Sequence, residues 1–284
     1  MNWMVGAVKI TKIVELEVTG HTRFILPQAT SEAARRIGWL HPHFADEEGR
    51  LKMSIHTFVV ETPARRIVVD TGLGNDKQNR FVPGWNGLKG PFLGDLAAAG
   101  YPPDSIDTVI CTHLHVDHVG WNTRLVDGRW IPTFAHARYL MGRTEFAHWS
   151  RARDNPAAVA VFEDSVRPVA DAGLIDLVEG GHRVCDEISL VPTPGHSPGH
   201  LSVAIASDGQ QALLMGDVLH HPCQMAHLDW SSAVDFDPRQ AEQTRRELFS
   251  RLAGTPVLAI GGHFSGPGGG RVVRDAEAFR LAPA

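Results

Sequence analysis

Four side chains that bind metal ions well fall within six residues, at His113, His115, Asp117 and His118. In extended chain, alternation puts His113, His115 and Asp117 on one side, and a turn after Asp117 brings His118 round to join them. Further donors follow: His196 in Pro194-Gly195-His196, Asp217 after Gly216, and His263 after Gly261-Gly262. Imidazole and carboxylate donors suit zinc, manganese, iron or cobalt, and two clusters sharing one carboxylate suit a pair of ions. Such ions bring hydrolysis within reach without a serine or cysteine nucleophile. Consistently, the chain has no Gly-x-Ser-x-Gly elbow, no phosphate-binding P-loop and no glycine fingerprint after a strand.

These donors need elements that carry them to one place. From Ser54 the sequence shows two apolar, β-branched runs around Thr62-Pro63-Ala64, the pattern of a hairpin ending at Asp70-Thr71-Gly72. A helix is expected around Asp95 to Ala99, and the run from Ile106 to Thr112 reads as a buried strand that delivers His113. Helices are expected over Thr144 to Arg153 and, after Asn155-Pro156, up to Gly173. Strands follow near Leu174 to Val178 and Ile188 to Pro192, then a hairpin turning at Ser207-Asp208-Gly209. Asp237-Pro238 caps a helix to about Leu252, and a last apolar run leads into Gly261. His113, His196, Asp217 and His263 thus all lie just past expected strands.

The composition sets limits. At 284 residues with 43% hydrophobic side chains, one large α/β domain over residues 1–284 is expected. The formal charge of −5 and the lack of a dense Lys/Arg run exclude a nucleic-acid partner. No long apolar stretch suggests a membrane span or leader, so a cytoplasmic protein is expected. The three cysteines, Cys111, Cys185 and Cys223, are scattered and read as core thiols.

Here the chain resembles the metallo-β-lactamase superfamily. The resemblance rests on HLHVDH at 113–118, PGHSPGH at 194–200, GD at 216–217, GGH at 261–263 and DTG at 70–72, in the family's order. It implies the metallo-β-lactamase fold, an α/β four-layer αββα sandwich of two mixed sheets flanked by helices. It further implies that His113, His115 and His196 hold one divalent metal ion and Asp117, His118 and His263 a second. Asp217 would bridge the two, with a hydroxide between them. Zinc is the expected ion, and iron, manganese and cobalt are compatible. His200 and Asp70 would act behind the ligands, by hydrogen bonds that orient them. For Asp70, a plain turn role is equally compatible.

The resemblance implies hydrolysis of an ester, lactone or phosphotriester of a small, apolar substrate, with Asp117 exchanging a proton. In quorum-quenching lactonases a tyrosine lies three residues after the bridging aspartate, and this chain has His220 there, followed by His221. His220 is a candidate hydrogen-bond donor to a developing oxyanion or acid to a leaving alkoxide, and a solvated loop pair is the alternative. The region after Asp217 looks closest to the branch containing methyl parathion hydrolase, an organophosphate hydrolase, and broad esterase-lactonases. N-acyl homoserine lactonase, mono-iron persulfide dioxygenase and β-lactamase-type amidohydrolase activities stand as alternatives. Phe24, Ile25, Leu26, Trp39, Leu40 and Phe44, which make residues 20–53 a candidate lid or homodimerisation segment, and Phe81, Trp85 and Phe92 are candidates for a pocket wall, a subunit interface or an extension of the core.

Overall fold

The β-branched runs form strands where they were expected, because side chains forked at Cβ pack well on a pleated surface. The computed structural model describes residues 1–282. The chain divides into two compact units, one of residues 1–15 and 55–179, the other of residues 16–54 and 180 onward.

The first unit holds β1 (Asn2–Val5), most of β2 (Val8–Thr19) and of β3 (Lys52–Glu61), β4 (Arg66–Val69), β5 (Thr108–Cys111), the separate hairpin β6 (Thr123–Val126) and β7 (Arg129–Pro132), then β8 (Arg138–Gly142) and β9 (Ile175–Val178). Seven of them make one mixed sheet in the order β1-β2-β3-β4-β5-β8-β9. Within it β4, β5, β8 and β9 are parallel, so their C-terminal ends share one edge. Val68, Val69, Val109 and Ile110 are fully buried, as strands inside a parallel sheet must be. Phe92 belongs to this core, stacked on Trp121 with ring centroids 5.6 Å apart, whereas Phe81 is exposed.

Asn155 caps Pro156–Val161 by accepting the N–H groups of Ala157 and Ala158. The expected single helix up to Gly173 is interrupted by a π-helical turn, Phe162–Val166, before Arg167–Asp171. Pro168 has no N–H to give the Asp164 carbonyl, and the buried Lys77 ammonium reaches that oxygen instead at 3.0 Å.

In the second unit the strands are β10 (Ile188–Pro192), β11 (Leu201–Ser207), β12 (Gln210–Leu214), β13 (Leu258–Ile260), β14 (Gly269–Asp275) and β15 (Ala278–Ala282), paired in that order. Asp208 and Gly209 both take positive φ in the β11–β12 turn, the geometry of a tight hairpin. Because β10 and β12 are each antiparallel to β11, and β13 is parallel to β12, all three end at the same edge. The helix Pro238–Leu252 begins with Asp237 accepting the N–H groups of Arg239 and Gln240, and buries Leu248, Phe249 and Leu252.

Within residues 20–53, Leu26, Leu40 and Phe44 join the core of the second unit, Ile25 and Trp39 pack against it, and Phe24 is exposed. Cys111 and Cys223 are buried, and burial raises both thiols well above their ordinary value. Among the described residues no helix is long and apolar enough to cross a membrane.

Candidate metal centre

In the first unit the strand edge gathers four of the predicted donors. Nε2 of His113 and Nδ1 of His115 are 3.0 Å apart, the rings of His113 and His118 are 4.0 Å apart, and His118 Nε2 is 3.8 Å from Asp117 Oδ1. His113 and His118 are buried and Asp117 is partly open. The carboxylate of Asp70, at the end of β4, accepts three hydrogen bonds: Thr112 N–H, Thr112 Oγ1–H and His118 Nδ1–H, each at 2.8 Å. It therefore orients a ligand candidate as well as starting a turn, its φ being positive.

Two carboxylates that the sequence did not single out support the same loop. Glu145, at the start of the helix after β8, accepts Leu114 N–H at 3.1 Å and Trp149 Nε1–H at 2.6 Å. The Trp149 indole meets the His115 ring edge to face at 5.3 Å. Glu15 accepts the N–H groups of Leu73 and Gly74 and the indole N–H of Trp121, holding the turn after Asp70. Burial pushes the Glu15 carboxyl up, against those donors.

In the second unit β10, β12 and β13 deliver His196, Asp217 and His263. Asp217 Oδ2 is the focus: His263 Nε2 lies 3.1 Å away, His220 Nε2 3.3 Å and His196 Nε2 3.5 Å. One ligand atom from each of His196, Asp217 and His220 falls within 4.8 Å of the others. Glycine is required beside them. A Cβ at Gly262 would stand 2.8 Å from Asp217 Oδ1, and one at Gly195, where φ is +131°, would stand 2.3 Å from the Ala241 nitrogen.

His200 accepts Asp217 N–H at Nε2, 3.0 Å, and its Nδ1–H reaches Thr193 Oγ1 at 2.8 Å, so it supports the carboxylate from behind. His220 and His221 are not a solvated pair, since both are fully buried. Burial holds the His220 imidazole neutral, with its pKa lowered to about 3, and lowers that of His221 to about 4. His221 is structural: its Nε2 bonds the Phe44 carbonyl at 2.8 Å and its Nδ1 accepts Cys223 N–H at 3.1 Å.

Metal binding requires a ring nitrogen with a lone pair to give, and the hydrogen bonds decide which nitrogen that is. Nδ1 of His118 faces Asp70, Nδ1 of His196 faces Asp235 Oδ1 at 3.0 Å, and Nδ1 of His263 faces the Ser54 carbonyl at 3.1 Å. Those partners can only accept, so each Nδ1 carries the proton. His113 Nδ1 faces Thr112 Oγ1, whose own proton goes to Asp70, so it too is the donor. Nε2 of each ring is thereby the lone-pair atom, set beside His115 Nδ1 for His113, Asp117 Oδ1 for His118 and Asp217 Oδ2 for His196 and His263. These imidazoles, with Asp117 in the first unit and Asp217 in the second, are donors of the kind that divalent first-row ions take.

The family model of the metallo-β-lactamase superfamily matches residues 52–263. The chain belongs to the metallo-β-lactamase superfamily. Among relatives of this superfamily member, the N-acyl homoserine lactonase AiiA of Bacillus thuringiensis subsp. kurstaki is 26% identical over 176 residues, covering 58% of this chain and 63% of its own length. A probable metallo-hydrolase of Mycobacterium tuberculosis (strain ATCC 25618 / H37Rv) is 29% identical over 206 residues, covering 66% of this chain and 63% of its own. The match thus spans 63% of the length of these curated relatives. Among solved structures, the hydrolase AbOPH of the β-lactamase superfamily aligns with a TM-score of 0.80 at 23% identity, over 100% of this chain and 96% of that one. AidC, a dizinc quorum-quenching lactonase, aligns with a TM-score of 0.78 at 20% identity, over 100% and 97%. The metallo-β-lactamase fold expected from the motifs is borne out, with two mixed sheets and their helices.

Proposed function

We propose that this chain is a metal-dependent hydrolase that cleaves an ester, lactone or phosphotriester bond of a small, apolar substrate. His113, His115 and His196 would hold one divalent ion, Asp117, His118 and His263 a second, and Asp217 both. The observation that carries the reading is that Nδ1 of His113, His118, His196 and His263 each faces an oxygen acceptor, which supports Nε2 as the ligand atom of each.

When bound, two such ions lower the pKa of water toward neutrality and polarise a carbonyl or phosphoryl oxygen. The chain's own residues do the rest. Asp117, whose side chain is 13% exposed, is the more open of the two carboxylates and takes and returns the proton during bond cleavage. His220 is neutral at physiological pH, so it serves as a hydrogen-bond donor to an oxygen that becomes negative and not as an imidazolium acid. Asp70, Glu145 and His200 hold the ligands in register.

The second reading is N-acyl homoserine lactonase activity specifically, favoured by the name of the curated Bacillus relatives. His220 in place of the tyrosine of quorum-quenching lactonases weighs toward broader ester and phosphotriester substrates. A panel of acyl-homoserine lactones, simple lactones, aryl esters, phosphotriesters and a cephalosporin, ranked by kcat/KM, tests both. Turnover confined to acyl-homoserine lactones selects the second reading. Oxygen uptake with glutathione persulfide and no hydrolysis would overturn both in favour of a mono-iron dioxygenase.

A further inference from the structure

The helix Pro238–Leu252 buries Arg245 completely, against the expectation for a guanidinium on an amphipathic helix. Its Nε–H donates to the Leu228 carbonyl at 3.1 Å, Nη1 lies 3.4 Å from the Val218 carbonyl, and the same Nη1 is 3.6 Å from Asp235 Oδ2. Arg245 therefore ties together the turn that follows Asp217, the loop at residue 228 and Asp235.

Asp235 is equally enclosed, its side chain 1% exposed. Oδ2 accepts Ser232 N–H at 2.9 Å, and Oδ1 faces His196 Nδ1 at 3.0 Å. The backbone fixes this meeting, because Phe236 N–H donates to the His196 carbonyl at 3.0 Å and Asp237 N–H to the Gly195 carbonyl at 2.9 Å. Residues 235–237 are thus zipped onto 195–196, and the far side of the imidazole, Nε2, is aimed at Asp217 Oδ2, 3.5 Å away.

A carboxylate and a guanidinium are costly to bury, and a packing role would be served as well by apolar side chains of the same size. What apolar groups cannot do is accept the Nδ1 proton of His196. We propose that Asp235, held in place by Arg245, is a positioning residue for His196, fixing its Nε2 as the metal-binding nitrogen. The inference rests on the metal-centre reading given above and extends it to a pair of residues 39 and 49 positions from the ligand they serve.

The test compares Asp235→Asn, which keeps the size of the side chain, with Asp217→Asn. In chelator competition with zinc alone, Asp235→Asn is expected to bind one of two equivalents about 10- to 100-fold more weakly, with the far-ultraviolet spectrum unchanged. If removing one member of the buried pair prevents folding, Asp235→Asn combined with Arg245→Met removes both charges and carries the same expectation. Wild-type zinc affinity in a folded variant overturns the inference. Wild-type affinity in Asp217→Asn overturns the metal-centre reading itself, so the two failures are distinguishable. On the wild-type protein, nitrogen-15 spectra of the zinc-loaded form are expected to show the His196 proton on Nδ1. A proton on Nε2 also overturns the inference.

Discussion

Asp70 Oδ2 stands 2.8 Å from His118 Nδ1 and 2.8 Å from Thr112 Oγ1, so one carboxylate at the end of β4 sets the hydrogen bonding of two neighbouring ligand candidates. His113 is reached through Thr112, and His118 directly. Asp70→Asn presents an amide whose N–H₂ cannot accept at both oxygens' positions. Metal affinity and turnover are each expected to fall by about 10- to 100-fold, read by metal titration and kcat/KM. Unchanged metal binding would return Asp70 to a turn residue.

Asp217 receives three imidazole Nε2 atoms at one oxygen, 3.1–3.5 Å away. Asp217→Asn and His118→Ala should each abolish turnover, with metal lost from the protein as measured by elemental analysis. Retained wild-type turnover in either variant would contradict the ligand assignment.

His220→Ala separates donor from ligand. kcat is expected to fall by about 10²- to 10³-fold with metal content retained, since removing one oxyanion donor costs that much. Because the buried imidazole is already neutral, the shape of the pH–rate profile between about pH 5 and 8 should not change. Loss of metal in this variant would make His220 a ligand, and full activity would remove it from the site.

His221 predicts the acid limb of stability. Its folded pKa, about 4, lies below the ordinary 6.5, so the unfolded chain binds more protons as pH falls from 6.5 toward 4 and stability is lost in that window. A protonated ring would also lose the Cys223 N–H that Nδ1 accepts. Urea unfolding should therefore show His221→Phe less stable than wild type at pH 7, by about 1–3 kcal/mol for each buried group left unpaired. The gap should narrow toward pH 4. A gap independent of pH would show that His221 does not titrate with unfolding.

What could be read from the sequence was what is decided locally. Asn155-Pro156 and Asp237-Pro238 cap helices because the Asx side chain and the proline act within a turn. Asp208-Gly209 turns a hairpin because both residues tolerate positive φ. The donors His113, His196, Asp217 and His263 were legible because each closes a strand with a short motif. Glu145, Glu15, Asp235 and Arg245 were not. Glu145 meets Leu114 across 31 residues and Asp235 meets His196 across 39, and no local pattern marks either pairing. The burial of His220 and His221 was likewise invisible, because His221 is covered by the distant Phe44, and His220 packs against the His196 and His263 rings. A continuous helix up to Gly173 follows from the Asn155-Pro156 cap alone, whereas the π-helical turn goes with the missing N–H of Pro168 and the distant Lys77.

The proposed function stands on the dependence of hydrolysis on divalent ions held by the histidine and aspartate clusters. It is tested most directly by stripping the purified protein with a chelator and following the hydrolysis of an aryl ester or lactone as zinc is returned. Activity is expected to be lost on stripping and to recover to a plateau near two equivalents of metal per chain. Full activity in the metal-free protein would contradict it.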